Sequence, residues 1–418
     1  MYKLIKVSGL MLLLVYCYLN LGNILYFKLN VDFVGAALVV LAGMYAMQRT
    51  VRASVTGLQI GNGEVMGMLL LGLGFAAITL QRILYDTYIG FDGNDVQQSL
   101  RSVWIVSVLW FLIGGSVAAS TLRESWVFAI LIAVSITLIM AFGVDESLFQ
   151  TYQSEDNDVR AANISHLNVE RYIIIPMILA YALSPKTRWL VAICGVYCLF
   201  LLGGRTALVV FIMTVTFMNL GGNILRNAGM LAVVGGILFF GLRYAVGNNI
   251  IDPDSQQVRE MLFLGGVSDD NSFNARMNLL TESLQDLPEQ FLVGNFSITA
   301  ERYGDFGTYI HNLLSAWQFY GFFMFISIVA CLIYCVIKMF AARGGARTPI
   351  AVFSSFTLIY VLLSVTLSKY AGWTMLWFAL GLWMLQPVVS SVKAAASGTK
   401  SRKKRRKRRQ IYDSDFVL

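Results

Sequence analysis

The sequence predicts an all-α fold, a polytopic transmembrane helical bundle of about twelve spans, and three observations predict it. Hydrophobic residues make up 57% of the 418 and charged residues only 13%, with a mean hydropathy of +0.66. A soluble chain carries about twice that charge. The apolar residues fall in runs of roughly 17 to 25, the length at which a helix crosses a bilayer core. Basic residues cluster in alternate connections between those runs, as the positive-inside rule requires.

The elements follow in order. Lys3 and Lys6 precede a long apolar stretch that no small-x-small cleavage site follows, so 4–26 is read as a retained first span, not a signal peptide. Further spans are expected at 31–48, 65–84, 103–120, 126–144, 172–185, 188–203, 206–220 and 228–246. Gly203, Gly204 and Arg205 separate two of these, so a tight turn must reverse the chain there. The last three spans are expected at 310–338, 349–367 and 371–388.

Taking the N-terminus as cytoplasmic, the inner connections carry Arg49 and Arg52, Arg123, Lys186 and Arg188, Arg226, then Lys338, Arg343 and Arg347. The outer ones carry Lys28, Arg205 and Lys369, with Arg82 and Arg101 in a longer one. Two long polar segments then fall outside. Residues 145–171 are acidic and hold His166, read as a surface histidine. Residues 247–309 mix Asn, Asp, Ser and Gln with apolar stretches such as 261–266 and 291–293, which a solvated loop would not need. A loop folded back on the membrane surface, with a helix at 275–287, is expected. The organisation is therefore 1–246 as an N-terminal transmembrane region, 247–309 as the large outer loop, 310–388 as a C-terminal transmembrane region and 389–418 as a tail.

The run K-S-R-K-K-R-R-K-R-R at 400–409 supplies most of the net charge of +8. It is expected to be disordered, cytoplasmic and in contact with anionic lipid headgroups; in a chain otherwise made of spans it does not point to nucleic acid. The five cysteines all lie in apolar runs, and the i,i+4 pairs Cys194/Cys198 and Cys331/Cys335 read as packing. No metal site is expected: Asp269-Asp270 are adjacent in a polar loop, and adjacent residues converge poorly on one ion. The spans hold almost no ionisable residues, which argues against an ion-coupled transporter and puts any chemistry at the outer face.

Outward arginines therefore call for an explanation. Arg171 opens a span in N-V-E-R-Y, Arg205 stands in L-L-G-G-R-T-A-L, Arg276 in N-S-F-N-A-R-M-N, and Arg302 in T-A-E-R-Y-G-D. Guanidinium groups suit bidentate binding of phosphate oxygens, so several together could hold a lipid diphosphate. A local ion pair is the alternative, Glu170 with Arg171 or Glu301 with Arg302. One of only two histidines, His311, lies in Y-I-H-N beside Tyr309 and Asn312 at the entrance to a span. His and Asn there can cap backbone N–H groups, and an imidazole can also take a proton from a sugar hydroxyl.

The order of these segments resembles the O-antigen polymerase and O-antigen ligase superfamily. It is carried by L-L-G-G-R-T-A-L at 201–208, Arg276, Glu282 and Leu284 in the loop, F-L-V-G-N at 291–295, Y-I-H-N at 309–312 and F-Y-G at 319–321. Gly203 stands where that family commonly has serine. The resemblance covers most of the chain in architecture and residues 200–323 in motif.

It implies a GT-C-like, metal-independent glycosyltransferase of a bacterial inner membrane, with no cofactor. Donor and acceptor would be undecaprenyl-diphosphate-linked oligosaccharides, and the site would face the periplasm, with both termini cytoplasmic. Arg205 and Arg276 would bind the diphosphate and stabilise its leaving charge, and His311 would be the base or the group orienting the acceptor. Glu301 and Asp305 are alternative bases. Arg171, Arg302, Asn312, Glu301 and Tyr309 complete the expected substrate-binding set. A chain-length regulator and a flippase are the partners such a pathway implies. The looseness of the match favours a polymerase. A ligase that transfers the glycan to the lipid A core is the alternative, and a glycolipid flippase or transporter a further one.

Overall fold

The structure is a computed structural model that describes residues 2–22, 61–85, 93–118, 122–143, 166–202, 204–219, 240, 243–244, 247–248, 271–289, 291–296, 298, 302, 310, 312–342, 348–369 and 373–385. Among these residues there is no strand. The helices are α1 (Tyr2–Gly22), α2 (Asn62–Tyr85), α3 (Gly93–Ala118), α4 (Trp126–Gly143), α5 (His166–Leu183) and α6 (Arg188–Leu201). They continue with α7 (Arg205–Asn219), α8 (Asn271–Asp286), α9 (Ser315–Tyr320), α10 (Phe322–Ala342), α11 (Pro349–Leu367) and α12 (Thr374–Met384).

Among the described residues, four helical stretches are long and apolar enough to cross a membrane: Asn62–Gln81, Leu100–Ala118, Phe322–Ala342 and Pro349–Leu367. Leu13–Gly22, Trp126–Phe142, Arg188–Leu201, Thr206–Asn219 and Thr374–Met384 are apolar but shorter. The eleven residues of α12 rise only about 16 Å, roughly half a hydrocarbon core. The expected spans 31–48 and 228–246, and the tail at 389–418, lie outside the described residues.

Local chemistry accounts for several helix starts. The Thr348 side chain accepts from the Ala351 N–H ahead of α11, and Pro349 fills the first helical position, where a missing N–H costs nothing. Glu64 reaches back to the Gly61 N–H and closes the first turn of α2. Ser125 does the same for α4, accepting from the Phe128 N–H.

The tightest crossing is α3 on α12. A Cβ added at Gly381 would lie 1.9 Å from the Phe111 carbonyl oxygen, and one at Gly114 would lie 2.2 Å from that of Phe378. Only glycine lets these two backbones approach so closely, the usual device where helices pack without a hydrophobic drive between them. Trp110, Trp377 and Trp383 are buried around the crossing. Outward-facing positions are apolar as well: Phe75, Ile193 and Ile337 are each more than 60% exposed. Such an outer surface is costly in water and costs nothing in lipid.

Contacts fix which helix ends lie together. At one end the Lys338 ammonium donates to the Trp383 carbonyl (2.7 Å), and the Ser125 N–H donates to the Leu183 carbonyl (2.9 Å). At the other end the last turns of α2 and α11 meet the first turns of α5, α10 and α12. We call this the Gln81 end.

Two expectations need correcting. Residues 310–338 do not form one helix. Gly321 takes a φ of +83° and separates the six-residue α9 from α10, so the spanning helix starts at Phe322. The span expected at 172–185 begins earlier, at His166, which brings Glu170 and Arg171 into helix. The loop helix expected at 275–287 is found as α8, Asn271–Asp286.

Candidate functional site

At the Gln81 end two polar constructions stand out: the first joins the motif segments at 291–295 and 319–321, and the second lies beside Arg171. The first is a clasp. The segment at 291–296 runs back against α9 and the start of α10. The Asn295 N–H donates to the Gln318 carbonyl (2.7 Å), the Phe322 N–H to the Phe291 carbonyl (2.9 Å), and the Trp317 indole to that same carbonyl (3.1 Å). Gly294 and Gly321, at φ +71° and +83°, make this approach: a Cβ on Gly321 would lie 2.1 Å from the Leu292 oxygen, and one on Gly294 would lie 2.5 Å from the Gly321 nitrogen. The amide of Gln81, 2% exposed at the end of α2, donates to the Val293 carbonyl (2.8 Å) and to that of Phe319. Phe291 stacks on Phe322 with ring centroids 4.7 Å apart.

The clasp also holds the two neighbours of His311. The Ile310 N–H donates to the Gln318 side-chain oxygen (3.4 Å), and Ile310 is fully buried. The Asn312 side chain accepts from the Leu314 N–H (2.8 Å), and its carbonyl accepts from the Ser315 N–H and hydroxyl. Asn312 thus forms a turn that starts α9, as the capping reading expects.

The second construction lies where α5 begins and α11 gives way to α12. Glu170 and Lys369 form a buried ion pair at 2.5 Å, with relative exposures of 2% and 4%. The Tyr360 hydroxyl donates to the other carboxylate oxygen. Beside it, Arg171 is half-buried. It donates to the Thr374 hydroxyl (3.2 Å) and the Tyr172 hydroxyl (2.7 Å), and its guanidinium lies 4.8 Å from the Tyr172 ring centroid and 6.0 Å from that of Trp110. The Tyr172 hydroxyl in turn bonds Tyr16 of α1 at 3.2 Å.

The expected site residues distribute as follows. Arg171 has the network just described, and the carboxylate next to it in sequence is paired with Lys369. Arg302 bridges Asp286 (3.0 Å) and Glu282 (3.6 Å), closing back on α8. Arg205 is the first residue of α7 and Arg276 lies within α8, both described in backbone only. The turn between α6 and α7 falls at the Gln81 end, because α5, α6 and α7 run successively in opposite directions. His311, Tyr309 and Glu301 lie outside the described residues.

Sequence reasoning missed Glu170, Lys369, Tyr360, Gln81 and Gln318. For Lys369 a signal existed: it is a lone cation in a short connection on the side where positive charge is disfavoured, and such a residue calls for a buried anion. For the two glutamines there was none, because a glutamine in an apolar run carries no record of which carbonyl it meets.

The class that fold and surface fit is an α-helical membrane protein, with apolar helices outside and a polar assembly gathered at one end. No known protein family matches the chain, and no curated protein does.

Proposed function

We propose that the protein is a surface-polysaccharide polymerase. It would join undecaprenyl-diphosphate-linked oligosaccharide repeat units at the periplasmic face of a bacterial inner membrane. The observation that carries this reading is the common location of three motif segments. The start of α5 with Arg171, the start of α7 with Arg205 and the clasp that holds Ile310 and Asn312 all belong to the Gln81 end. On the orientation the basic residues give, that end is the outer one.

In this reading the arginines hold the donor diphosphate, and the diphosphate leaves with the bond to the anomeric carbon. The acceptor hydroxyl forms the new glycosidic bond and gives up its proton to a base, with His311 the first candidate. Guanidinium groups in a partly dry site offset the charge that develops on the leaving group, so no metal is required for that step.

Deletion of the gene and electrophoresis of the surface polysaccharide test the proposal. Loss of the ladder with a core-plus-one-unit band retained is the expected result. Loss of all attached glycan, with lipid-linked polymer accumulating, would reassign the protein as a ligase. An unchanged ladder removes both readings.

A further inference from the structure

We infer that the end of the α4–α5–α6 group opposite the Gln81 end binds an anionic phospholipid of the adjoining leaflet, through Arg123, Lys186 and Arg188 with Trp126 and Trp189 beside them. The inference rests on the membrane class of the fold and is independent of the proposed glycosyl transfer.

The turn between α5 and α6 gathers the cations. α4, α5 and α6 pack against one another pairwise. The Ser125 N–H donates to the Leu183 carbonyl (2.9 Å), which sets the start of α4 against the end of α5. Arg123 stands two residues before that bond on one strand of chain and Lys186 three residues after it on the other. Arg188, the first residue of α6, reaches back: its Nε–H donates to the Tyr181 carbonyl (3.4 Å), and its guanidinium lies 5.2 Å from the Tyr181 ring centroid. Glu124 is the one carboxylate in these two segments, so three cations and one anion leave a local charge of +2. Arg123, Glu124 and Lys186 are exposed. Among the described residues no ion pair reaches any of the three cations, whereas Lys369 and Arg302 at the Gln81 end are met by carboxylates.

Deeper along the two helices the surface changes in the order a phospholipid does. α4 and α6 both start at this end and run parallel, with the Cys198 thiol 3.7 Å from the Thr137 hydroxyl. Trp126 is eleven residues before Thr137 and Trp189 nine before Cys198, so at about 1.5 Å per residue the two indoles lie within about 3 Å of the same depth. Each indole residue is more than half exposed, and further along Leu131 and Ile193 are each at least 60% exposed. Cations, then indoles, then aliphatic side chains match phosphate, glycerol esters and acyl chains, and exposed tryptophans favour that interfacial level. The positive ends of the α4 and α6 dipoles face the same level, and Thr187 places no side-chain cap on the first N–H groups of α6. A zwitterionic headgroup brings a cation that this cluster repels, and an anionic one does not, which sets the class of lipid.

The test uses the full chain in a neutral detergent and reads lipid binding by native mass spectrometry, with phosphatidylglycerol and phosphatidylcholine of matched chains as probes. The wild type should bind phosphatidylglycerol about tenfold more tightly, or better. Arg123→Gln with Lys186→Gln changes two exposed side chains, so it should keep the melting temperature. It should weaken phosphatidylglycerol about 30-fold, roughly fivefold per charge, and leave phosphatidylcholine unchanged. Lys186→Glu alters the local charge by the same two units at one position and should weaken it as much. Lys403→Gln with Lys404→Gln removes two charges from the basic tail and should leave the tight lipid in place. The inference is overturned if the wild type does not distinguish the two lipids, if both cluster variants bind phosphatidylglycerol like the wild type, or if the tail variant weakens it as much as they do. Complete displacement by millimolar glycerol 3-phosphate overturns it as well, since phosphate alone would then account for binding.

Discussion

Substituting Gln81 by leucine should release the clasp while leaving the bundle folded. The amide nitrogen of Gln81 has two hydrogens and uses both, one on the Val293 carbonyl and one on that of Phe319. Leucine keeps much of the volume and removes both donors. A buried acceptor left without its donor costs about 1–3 kcal/mol, so two lost donors cost roughly 3 kcal/mol at the lower half of that range. The residues that feel this first are those joined only through the clasp, so local opening of 291–296 from α9 should become about 150-fold more populated. Hydrogen exchange of the intact protein in nanodiscs reads it directly. The amides of Asn295 and Phe322, whose acceptors lie across the clasp, should lose about two orders of magnitude of protection. Amides inside α11 should not change. Gln81→Glu should be worse than leucine, since it removes both donors and turns a carboxylate toward two carbonyl oxygens. The reasoning is refuted if Gln81→Leu folds and the Asn295 and Phe322 amides exchange as in the wild type.

Three further substitutions probe glycines whose neighbours differ. Gly321→Ala combines a backbone of φ +83° and ψ 173°, a region essentially reserved for glycine and costing about 1–3 kcal/mol, with a Cβ 2.1 Å from the Leu292 oxygen. It should lower the melting temperature in detergent and expose the same two amides, whereas Gly72→Ala, with nothing within 4 Å, should be neutral or slightly stabilising. Gly381→Ala places a Cβ 1.9 Å from the Phe111 carbonyl, a contact with backbone that cannot swing aside. It should force α3 and α12 apart at a cost of about 3 kcal/mol or more, read as lost monodisperse protein on size-exclusion chromatography.

What the sequence made legible follows from length scales. Helices with long apolar runs were expected almost where they occur, and 349–367 matches α11 residue for residue, because Thr348-Pro349 marks its start and Ser368-Lys369 its end. The loop helix was expected because apolar stretches in a polar loop imply folding back on the membrane, though it starts four residues earlier than expected, at Asn271. The break at Gly321 was not, because a Gly between aromatic residues in an apolar run looks like any helical glycine. What distinguishes it is the approach of Leu292, almost thirty residues away in sequence. The ion pair was hidden for the same reason. Glu170 and Lys369 are 199 residues apart, and each looked like a boundary charge until α5 was seen to begin at His166.

The two constructions also show what surrounds the cations at the Gln81 end. Exceptions to the positive-inside pattern were grouped together in the sequence, yet the structure separates them. Lys369 has its anion in Glu170, and that pair is dry, so an incoming phosphate would have to compete with a carboxylate 2.5 Å away. Arg302 sits among the carboxylates of Glu282 and Asp286, and any phosphate approaching it meets their negative charge first. Arg171 donates to the hydroxyls of Thr374 and Tyr172 and lies against the Tyr172 and Trp110 rings, contacts that orient its guanidinium. A diphosphate needs more than one such group. The proposed reaction calls for several cations together, Arg171 with Arg205 at the start of α7 and Arg276 on α8, while Arg302 bridges Asp286 and Glu282 of α8.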